Sequence, residues 1–129
     1  MTPEKRIRLH LPYPPSINHY YVRTRRGMAI GKKGKAYREA VWWGCALKSG
    51  ITKPLTGSLR IALKVMLPDR RMRDLDNIQK CLLDALEHAG VVANDNQFRS
   101  ILTEAVGVEK PGWVDVVIEP MGDEGCLST

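Results

Sequence analysis

Four segments of the chain alternate between apolar and polar positions with the period of a β-strand. They cover residues 5–11, 59–67, 99–108 and 113–118. Because successive side chains of a strand point to opposite faces of the sheet, each segment predicts a strand with one buried face. The last two segments flank a short Lys110-Pro111-Gly112 connection, and we expect them to form an antiparallel pair around it.

A helix is predicted between Asp74 and Gly90, directly after the second of these strands and Pro68. The apolar residues of this segment recur at helical spacing and predict one buried stripe, formed by Leu75, Ile78, Leu82, Ala85, Leu86 and Ala89. Asp74 is suited to cap the first turn, because its carboxylate can accept backbone N–H groups that have no partner within the helix. Gly90 is suited to end the helix in a left-handed conformation.

Two further elements are predicted in the first half of the chain. Residues 20–30 resemble a hairpin with a basic tip at residues 23–27. A helix is expected from Lys33 or Lys35 to about residues 49–50. Its apolar residues lie roughly on one side and comprise Ala36, Ala40, Trp43, Ala46 and Leu47. The adjacent Trp42 and Trp43 must point in different directions, so we expect one in the core and the other in a groove or against a partner subunit.

The order of elements is strand, hairpin, helix, strand, helix and two strands. It predicts an α+β fold, a two-layer sandwich in which a mostly antiparallel mixed sheet carries two main helices on one face. The 129 residues suit a single domain, predicted over residues 1–121 with a frayed tail at 122–129.

Composition argues against several classes of protein. The chain lacks an apolar run near the ~20 residues that span a membrane, and its charged start is unlike a signal peptide, so we expect a cytoplasmic protein with no membrane partner. Cys45, Cys81 and Cys126 are odd in number and widely spaced, which favours buried thiols over a disulfide framework or a zinc site.

The net charge of +6 is concentrated in three clusters. These are the hairpin arginines Arg23, Arg25 and Arg26, the lysines Lys32, Lys33 and Lys35, and the loop arginines Arg70, Arg71 and Arg73. A solvated basic surface is one explanation of such clusters. Their position around a group of acids favours a polyanion instead, with nucleic acid as the first candidate.

The acids in question are Asp74, Asp76 and Asp95, with Lys80 one turn after Asp76. Asp74 and Asp76 lie at a strand-to-helix corner, and Asp95 lies in a turn that could fold back beside the helix. Clustered carboxylates repel one another unless a cation lies between them, and hard oxygen ligands suit Mg²⁺ or Mn²⁺. The alternative is an ordinary capped surface helix in which Asp76 and Lys80 form an i,i+4 pair.

The segment from Asp69 to Gln97 resembles the signature of the RusA family of Holliday junction resolvases (crossover junction endodeoxyribonucleases). The resemblance extends to residues 14–21 (Pro-Pro-Ser-x-Asn-x-Tyr-Tyr) and 34–38 (Gly-Lys-Ala-Tyr-Arg), and covers nearly the whole chain to about Met121. It implies that Asp74, Asp76 and Asp95 bind Mg²⁺ (or Mn²⁺) and that Lys80 is the essential lysine.

The same resemblance implies that the substrate is a branched, four-way DNA junction and that the basic clusters hold its backbone. It raises the expectation that Asn18 or Tyr20 approaches the DNA near the metal site. Because two symmetric nicks require two active sites, we also expect a homodimer. Asp84 and Asp69 are less secure members of the site, as a helix-packing acid and a loop cap respectively.

Three points stay open at this stage. Asn94 occupies a place where relatives can carry a second acid, although its carbonyl oxygen could still bind a cation. A Mg²⁺-dependent phosphatase or nucleotidyl enzyme could use the same Asp-x-Asp motif, but no long βαβ array fits this length. A non-catalytic DNA-binding module, in which the acids only cap a helix, is the alternative from another class.

Overall fold

The computed structural model describes residues 6–48 and 53–122. The elements, in chain order, are β1 (Ile7–Pro12), α1 (Ile17–Tyr20), β2 (Tyr21–Thr24), β3 (Gly27–Ile30), α2 (Lys32–Lys48), β4 (Leu59–Leu67), α3 (Leu75–His88), a 3₁₀ turn (Asp95–Gln97), β5 (Phe98–Val108) and β6 (Trp113–Pro120). This order contains all the predicted elements in the predicted sequence, and it adds the short helix α1, which was not predicted. The predicted beginning of β1 at Lys5, the end of α2 at residues 49–50, Cys126 and the tail after Gly122 lie outside the described residues.

The main sheet has four strands in the order β1-β6-β4-β5, and β2 and β3 form a separate hairpin. The β1–β6 and β6–β4 pairs are antiparallel, whereas β4 and β5 are parallel. The sheet is therefore mixed and mostly antiparallel, as predicted. The predicted pairing of β5 with β6 was wrong, because β4 lies between them. β6 buries its alternating apolar residues by pairing on both of its edges, which leaves β5 at the edge of the sheet.

One face of the sheet carries the core and both helices. Residues Ile61, Leu63 and Val65 of β4 lie opposite Ile118, Val116 and Val114 of β6, and all six are buried. The residues that alternate with them along the two strands are polar or only partly buried. Buried residues of α2 and α3 belong to the same apolar cluster as these strands, so the two-layer α+β prediction is confirmed.

Helix α3 has the predicted buried stripe and both of its predicted ends. Its N-cap is Asp74, and its C-cap Ala89 is followed by Gly90 with φ +85°. The backbone N–H of Gly90 donates to Glu87 O and that of Val91 to Leu86 O, which is the Schellman pattern that satisfies the last carbonyls of a helix.

Helix α2 begins at Lys32 and packs with a different side from the predicted one. Its buried residues are Gly34, Tyr37, Val41 and Cys45, whereas the predicted stripe is exposed. Gly34 and Gly44 allow the helix to approach its neighbours closely, since an added Cβ at Gly44 would lie only 2.9 Å from Cδ2 of Leu11. The helix therefore packs with the side on which glycines allow close approach and on which Tyr37, Val41 and Cys45 fill the core.

The prediction that one of the two tryptophans lies in the core was also wrong. Trp42 is 45% exposed and Trp43 is 51% exposed, and their rings contact each other edge to face at 5.0 Å. Leu47 on the same helix is 76% exposed, so α2 presents an apolar surface to its surroundings.

Cys45 and Cys81 are buried, as expected, and burial raises the pKa of each thiol to about 11. No helix within residues 6–48 or 53–122 has the length and apolar content needed to cross a membrane.

Candidate active site

Asp74 and Asp76 lie together and exposed at the start of α3. Asp74 has extended backbone dihedrals, and its Oδ1 accepts the backbone N–H of Asp76 at 3.0 Å. The predicted cap is therefore confirmed. This contact occupies one carboxylate oxygen of Asp74 and places Asp76 in the first turn, where the partial positive charge of the helix N-terminus favours a carboxylate.

The loop between β4 and α3 is braced by Asp69. Its carboxylate accepts the backbone N–H of Arg71 at 3.0 Å and Nη2 of Arg73 at 2.6 Å. These hydrogen bonds, first that of Arg73, lower the pKa of Asp69 below its ordinary value. Asp69 thus acts as the loop cap that was expected. Arg73 is hydrogen-bonded to it within the loop, whereas Arg70 and Arg71 are exposed.

A groove of about 280 Å³ runs beside Asp74. One wall is the proline-rich segment 13–18 and the other is Met72–Asp74 with Asn77 and Ile78 of α3. Asn18 lines this groove and is exposed, so it lies near the candidate site as the family resemblance implied. Tyr20, the other residue of that expectation, is fully buried, which leaves Asn18 as the candidate of the two.

Lys80 lies one turn along α3 from Asp76, but it pairs with no carboxylate among the described residues. Its Nζ lies 5.6 Å from the centroid of the Tyr21 ring, within the distance of a cation–π contact. The ordinary i,i+4 ion pair with Asp76 is therefore absent from the described part of the chain.

Asp84, the next acid on this face of α3, is a packing residue. Its Oδ2 accepts hydrogen bonds from the Tyr20 hydroxyl at 2.5 Å and from Arg38 Nη2 at 2.8 Å and Nε at 3.0 Å. Burial, together with the hydrogen bond to Asp84, raises the pKa of Tyr20 well above its ordinary range. This cluster fastens α2 and the start of the hairpin to the middle of α3.

The turn that carries Asp95 is attached to the other end of α3. The backbone N–H of Asp95 donates to Glu87 Oε1 at 3.1 Å. Asn94 Oδ1 accepts the N–H of Asn96 at 2.9 Å, so the asparagine carbonyl is engaged in capping the turn. Gln97 accepts the N–H of Ala93 and donates to the carbonyl oxygens of Leu55 and Gly57.

The parallel pairing of β4 and β5 separates the predicted metal ligands. Asp74 lies where α3 begins, whereas Asp95 lies where β5 begins, and Phe98 of β5 pairs with Leu59 at the start of β4. Glu87, which holds the Asp95 amide, follows Asp76 by 11 residues, or about 16 Å along the axis of a helix. Within residues 6–48 and 53–122, no three acidic, histidine or cysteine side chains form a metal-binding group.

The donors available at the start of α3 nevertheless fit a hard cation. Asp74 and Asp76 supply exposed carboxylate oxygens on one side of the helix start, and oxygen is the ligand that Mg²⁺ and Mn²⁺ prefer. The convergence of Asp95 on them stays a prediction.

The predicted basic residues of the hairpin and of α2 are exposed. Arg23, Arg25 and Arg26 are exposed on the hairpin, and Lys32, Lys33 and Lys35 are exposed in the first turn of α2, which contains no acid. Tyr20 and Tyr21, at the foot of the hairpin, contact Asp84 and Lys80 of α3. The hairpin therefore starts beside the charged face of α3.

Sequence reasoning missed three residues that organise the site, namely Tyr21, Arg38 and Glu87. Arg38 and Tyr21 both lie within segments that carry the family resemblance, so their positions were marked but their partners were not. Glu87 lies on α3 at helical spacing from Lys80 and Asp84, but nothing in that spacing indicates the contact with Asp95.

Comparison with known proteins places the chain in a family. Residues 12–119 match the family described as Endodeoxyribonuclease RusA. The chain is 38% identical over 117 residues to the crossover junction endodeoxyribonuclease rusA of Enterobacteria phage 82, an alignment that covers 88% of this chain and 94% of the relative. The corresponding proteins of Shigella sonnei strain Ss046 and Escherichia coli strain K12 are 38% and 37% identical with the same coverage. The chain is therefore a member of the RusA family of crossover junction endodeoxyribonucleases.

Proposed function

We propose that this chain resolves four-way (Holliday) junctions in DNA recombination and repair by cutting two opposing strands. The observation that carries the proposal is the match to crossover junction endodeoxyribonucleases over 88% of the chain. The exposed acids at the start of α3, and a basic hairpin whose first residue contacts Lys80 on the same helix, are consistent with that activity.

Each cut is a hydrolysis of one phosphodiester bond. The oxygen of a water molecule bonds to phosphorus, the bond from phosphorus to the 3′ oxygen breaks, the water gives up a proton, and the 3′ oxygen gains one. A divalent cation, Mg²⁺ or Mn²⁺, supplies the acidity of the water and relief of charge on the phosphoryl oxygens. Asp74, Asp76 and Asp95 would hold it, and the ammonium of Lys80 would orient the water or neutralise developing charge.

Two arrangements could bring Asp95 to Asp74 and Asp76. Its turn is attached to the end of α3 opposite Asp74, and in the first arrangement the loop 68–73 or the turn 94–97 shifts when DNA binds. The alternative is that Asp95 of one subunit joins Asp74 and Asp76 of another.

A mixture of subunits separates these two arrangements. A dimer of one Asp76→Asn chain and one Asp95→Asn chain has two defective sites if all acids act within one chain, but one intact site if they act across the dimer. We expect no restored nicking. A mixture of Asp74→Asn and Asp76→Asn chains is the matched control, since it lacks an intact site in either arrangement.

The basic clusters are proposed to hold phosphates of the junction arms. Lysines in the first turn of α2 face the positive end of the helix dipole, so an anion bound there would relieve their repulsion. If about six phosphates are neutralised, junction affinity should fall with salt at a log–log slope of roughly −5. Replacing Arg25 by Gln should make that slope less steep by about one phosphate contact.

A homodimer is proposed because two symmetric nicks need two sites. Two exposed apolar surfaces of the described chain are available for it. One is the α2 surface with Trp42, Trp43 and Leu47, and the other is the edge strand β5, in which Leu102 is 55% exposed. Light scattering of Trp43→Glu and Leu102→Glu variants distinguishes them, since only the variant in the interface should become monomeric.

The test of the proposal compares the parent chain with Asp76→Asn on a synthetic four-way junction, with and without Mg²⁺. We expect the variant to bind the junction as tightly as the parent and to lose cleavage. The second candidate, a non-catalytic junction-binding module, is favoured by the separation of Asp95 from the other acids. This candidate predicts that the parent chain itself binds the junction without cutting it. Cleavage by Asp76→Asn at the parent rate would instead show that Asp76 does not belong to the active site.

A further inference from the structure

We propose that Tyr21 is the positioning residue of Lys80, and that through it the basic hairpin sets where the lysine ammonium lies in the active site. The inference rests on the proposed function for the role of Lys80. The contact between the two side chains can be tested without that role.

The first support is the way in which Lys80 is held. Its Nζ lies 5.6 Å from the centroid of the Tyr21 ring, where the negative face of the ring attracts a cation. Neither Asp76 nor Asp84, its neighbours one turn away on α3, forms an ion pair with it in the described part of the chain. The tyrosine ring is thus the contact that restrains a side chain with four rotatable carbon–carbon bonds.

The second support is that Tyr21 is itself held firmly. Its backbone N–H donates to Ile17 O, it pairs with Ile30 across the hairpin, and its ring packs against Tyr20 at 4.8 Å. Tyr20 is in turn hydrogen-bonded to Asp84 on α3. The ring that contacts Lys80 is therefore fixed from both its strand and the core.

The surroundings keep this ring in one charge state. Burial, followed by the carboxylate of Asp84, raises the pKa of Tyr21 to about 12, and the carboxylate of Asp95 adds to the same effect. The phenol is therefore neutral at physiological pH. Tyr21 also lies within electrostatic range of Asp84 and Asp95 while it contacts Lys80, so it stands between groups of α3 and of the turn that carries Asp95.

The position of Tyr21 in the chain gives this contact a functional consequence. Tyr21 is the first residue of β2, and the same short strand leads to Arg23 and to the turn with Arg25 and Arg26. Because the ring is fixed at the base of this hairpin, it holds the ammonium of Lys80 at a set position relative to the hairpin arginines. DNA binding at the hairpin and placement of Lys80 are thereby connected through one residue.

The contact is tested first without DNA or metal. The lysines of the full chain are dimethylated with ¹³C-formaldehyde, which keeps their charge, and the Lys80 signal is assigned with Lys80→Arg. We expect the Lys80 methyl signal to be shifted upfield by the ring in the parent and in Tyr21→Phe, and to move to the position of solvated lysines in Tyr21→Leu. A Lys80 signal at the solvated position in the parent overturns the proposal even if Tyr21→Leu does not fold.

The role is tested by separating junction binding from cleavage. In single-turnover cleavage with Mg²⁺, we expect Tyr21→Leu to be slower by roughly two- to fivefold, as the loss of a cation–π contact at an exposed lysine implies. Its junction Kd, measured in EDTA, should stay within about twofold of the parent, since Tyr21 positions Lys80 and does not itself bind phosphate. Tyr21→Phe should cut at the parent rate because it keeps the ring. Val22→Ala changes the adjacent, exposed position of β2 and is the control for a general disturbance of the hairpin.

These outcomes separate the inference from the proposed function. A parent chain that does not cut junctions, or a Lys80→Ala variant that cuts normally, contradicts the proposed function and leaves the NMR result to decide the contact. Normal cleavage by Tyr21→Leu in a chain that depends on Lys80, or an equal loss of rate in Tyr21→Phe, overturns the inference.

Discussion

Asp74 is assigned two roles that one set of substitutions can separate. It caps α3 through the hydrogen bond from the Asp76 N–H at 3.0 Å, and it is proposed to bind the catalytic cation. Asparagine and serine retain a side-chain oxygen that can cap a helix, whereas neither carries the negative charge of the carboxylate. Alanine removes both the cap and the charge.

The size of the capping effect follows from the exposure of the residue. Asp74 is exposed, so little apolar burial is lost in any variant, and the loss of the cap alone should cost about 1 kcal/mol in Asp74→Ala. For a chain of 129 residues this lowers Tm by roughly 3–5 °C. Asp74→Asn and Asp74→Ser should stay within about 0.5 kcal/mol of the parent, because both residues are good caps.

The assay combines thermal unfolding in EDTA with cleavage of a four-way junction in Mg²⁺. We expect all three variants to lose cleavage and only Asp74→Ala to lose stability. An equal loss of Tm in Asp74→Asn would show that the charge itself, and not the cap, stabilises the helix. Parent-like cleavage by Asp74→Asn or Asp74→Ser would contradict the assignment of Asp74 as a metal ligand.

Three further outcomes test the contacts around the site. The hydrogen bond from Arg73 lowers the pKa of Asp69 in the folded chain. The carboxylate therefore stabilises the fold above the unfolded-state pKa of about 3.9, and this contribution is lost as the pH falls through the lower pKa of the folded chain. The Tm of Asp69→Asn should lie below that of the parent at pH 7 and approach it below about pH 4. Gly34→Ala should lower the free energy of unfolding in urea by about 1–3 kcal/mol, since the added Cβ would press on the Tyr20 carbonyl oxygen. The control Gly44→Ala should lower it less, because its Cβ would meet the flexible end of the Leu11 side chain. Tyr20→Phe should cost about 1 kcal/mol by the same measurement, for the lost hydrogen bond to Asp84, and an unchanged stability would contradict that role.

The elements that sequence predicted best are those whose signals are local. The alternation of residues 59–67 and the Asp74 and Gly90 signals reproduce β4 and α3, because cap and periodicity act within a few residues of the chain. The pairing of β5 is not local. The short connection at residues 110–112 suits a hairpin, but β6 buries more by pairing with both β1 and β4.

Helix α2 shows the limit of periodicity when a helix has two apolar sides. The side with Trp43 and Leu47 is exposed, whereas the side with Gly34, Tyr37, Val41 and Cys45 is buried. Packing depends on how closely the backbone can approach the sheet, and a hydrophobicity pattern does not contain that information.

The candidate site was predicted in its residues but not in its arrangement. Asp76 and Lys80 lie one turn apart on α3 and Asp74 is its N-cap, so their place at the start of one helix follows from the sequence. Asp95 belongs to a turn after the helix, and its place depends on the parallel pairing of β5 with β4, which carries the turn to the opposite end of α3.

This separation has a consequence for metal binding by the free chain. Three carboxylates held together without a cation would repel one another, and the helix between them removes that repulsion. Before DNA binds, the cation should therefore be held mainly by Asp74 and Asp76. Titration of Mn²⁺ followed by electron paramagnetic resonance should show weaker binding in Asp76→Asn and unchanged binding in Asp95→Asn, although both variants lose cleavage. Equal weakening of Mn²⁺ binding in the two variants would show that all three acids already share the cation in the absence of DNA.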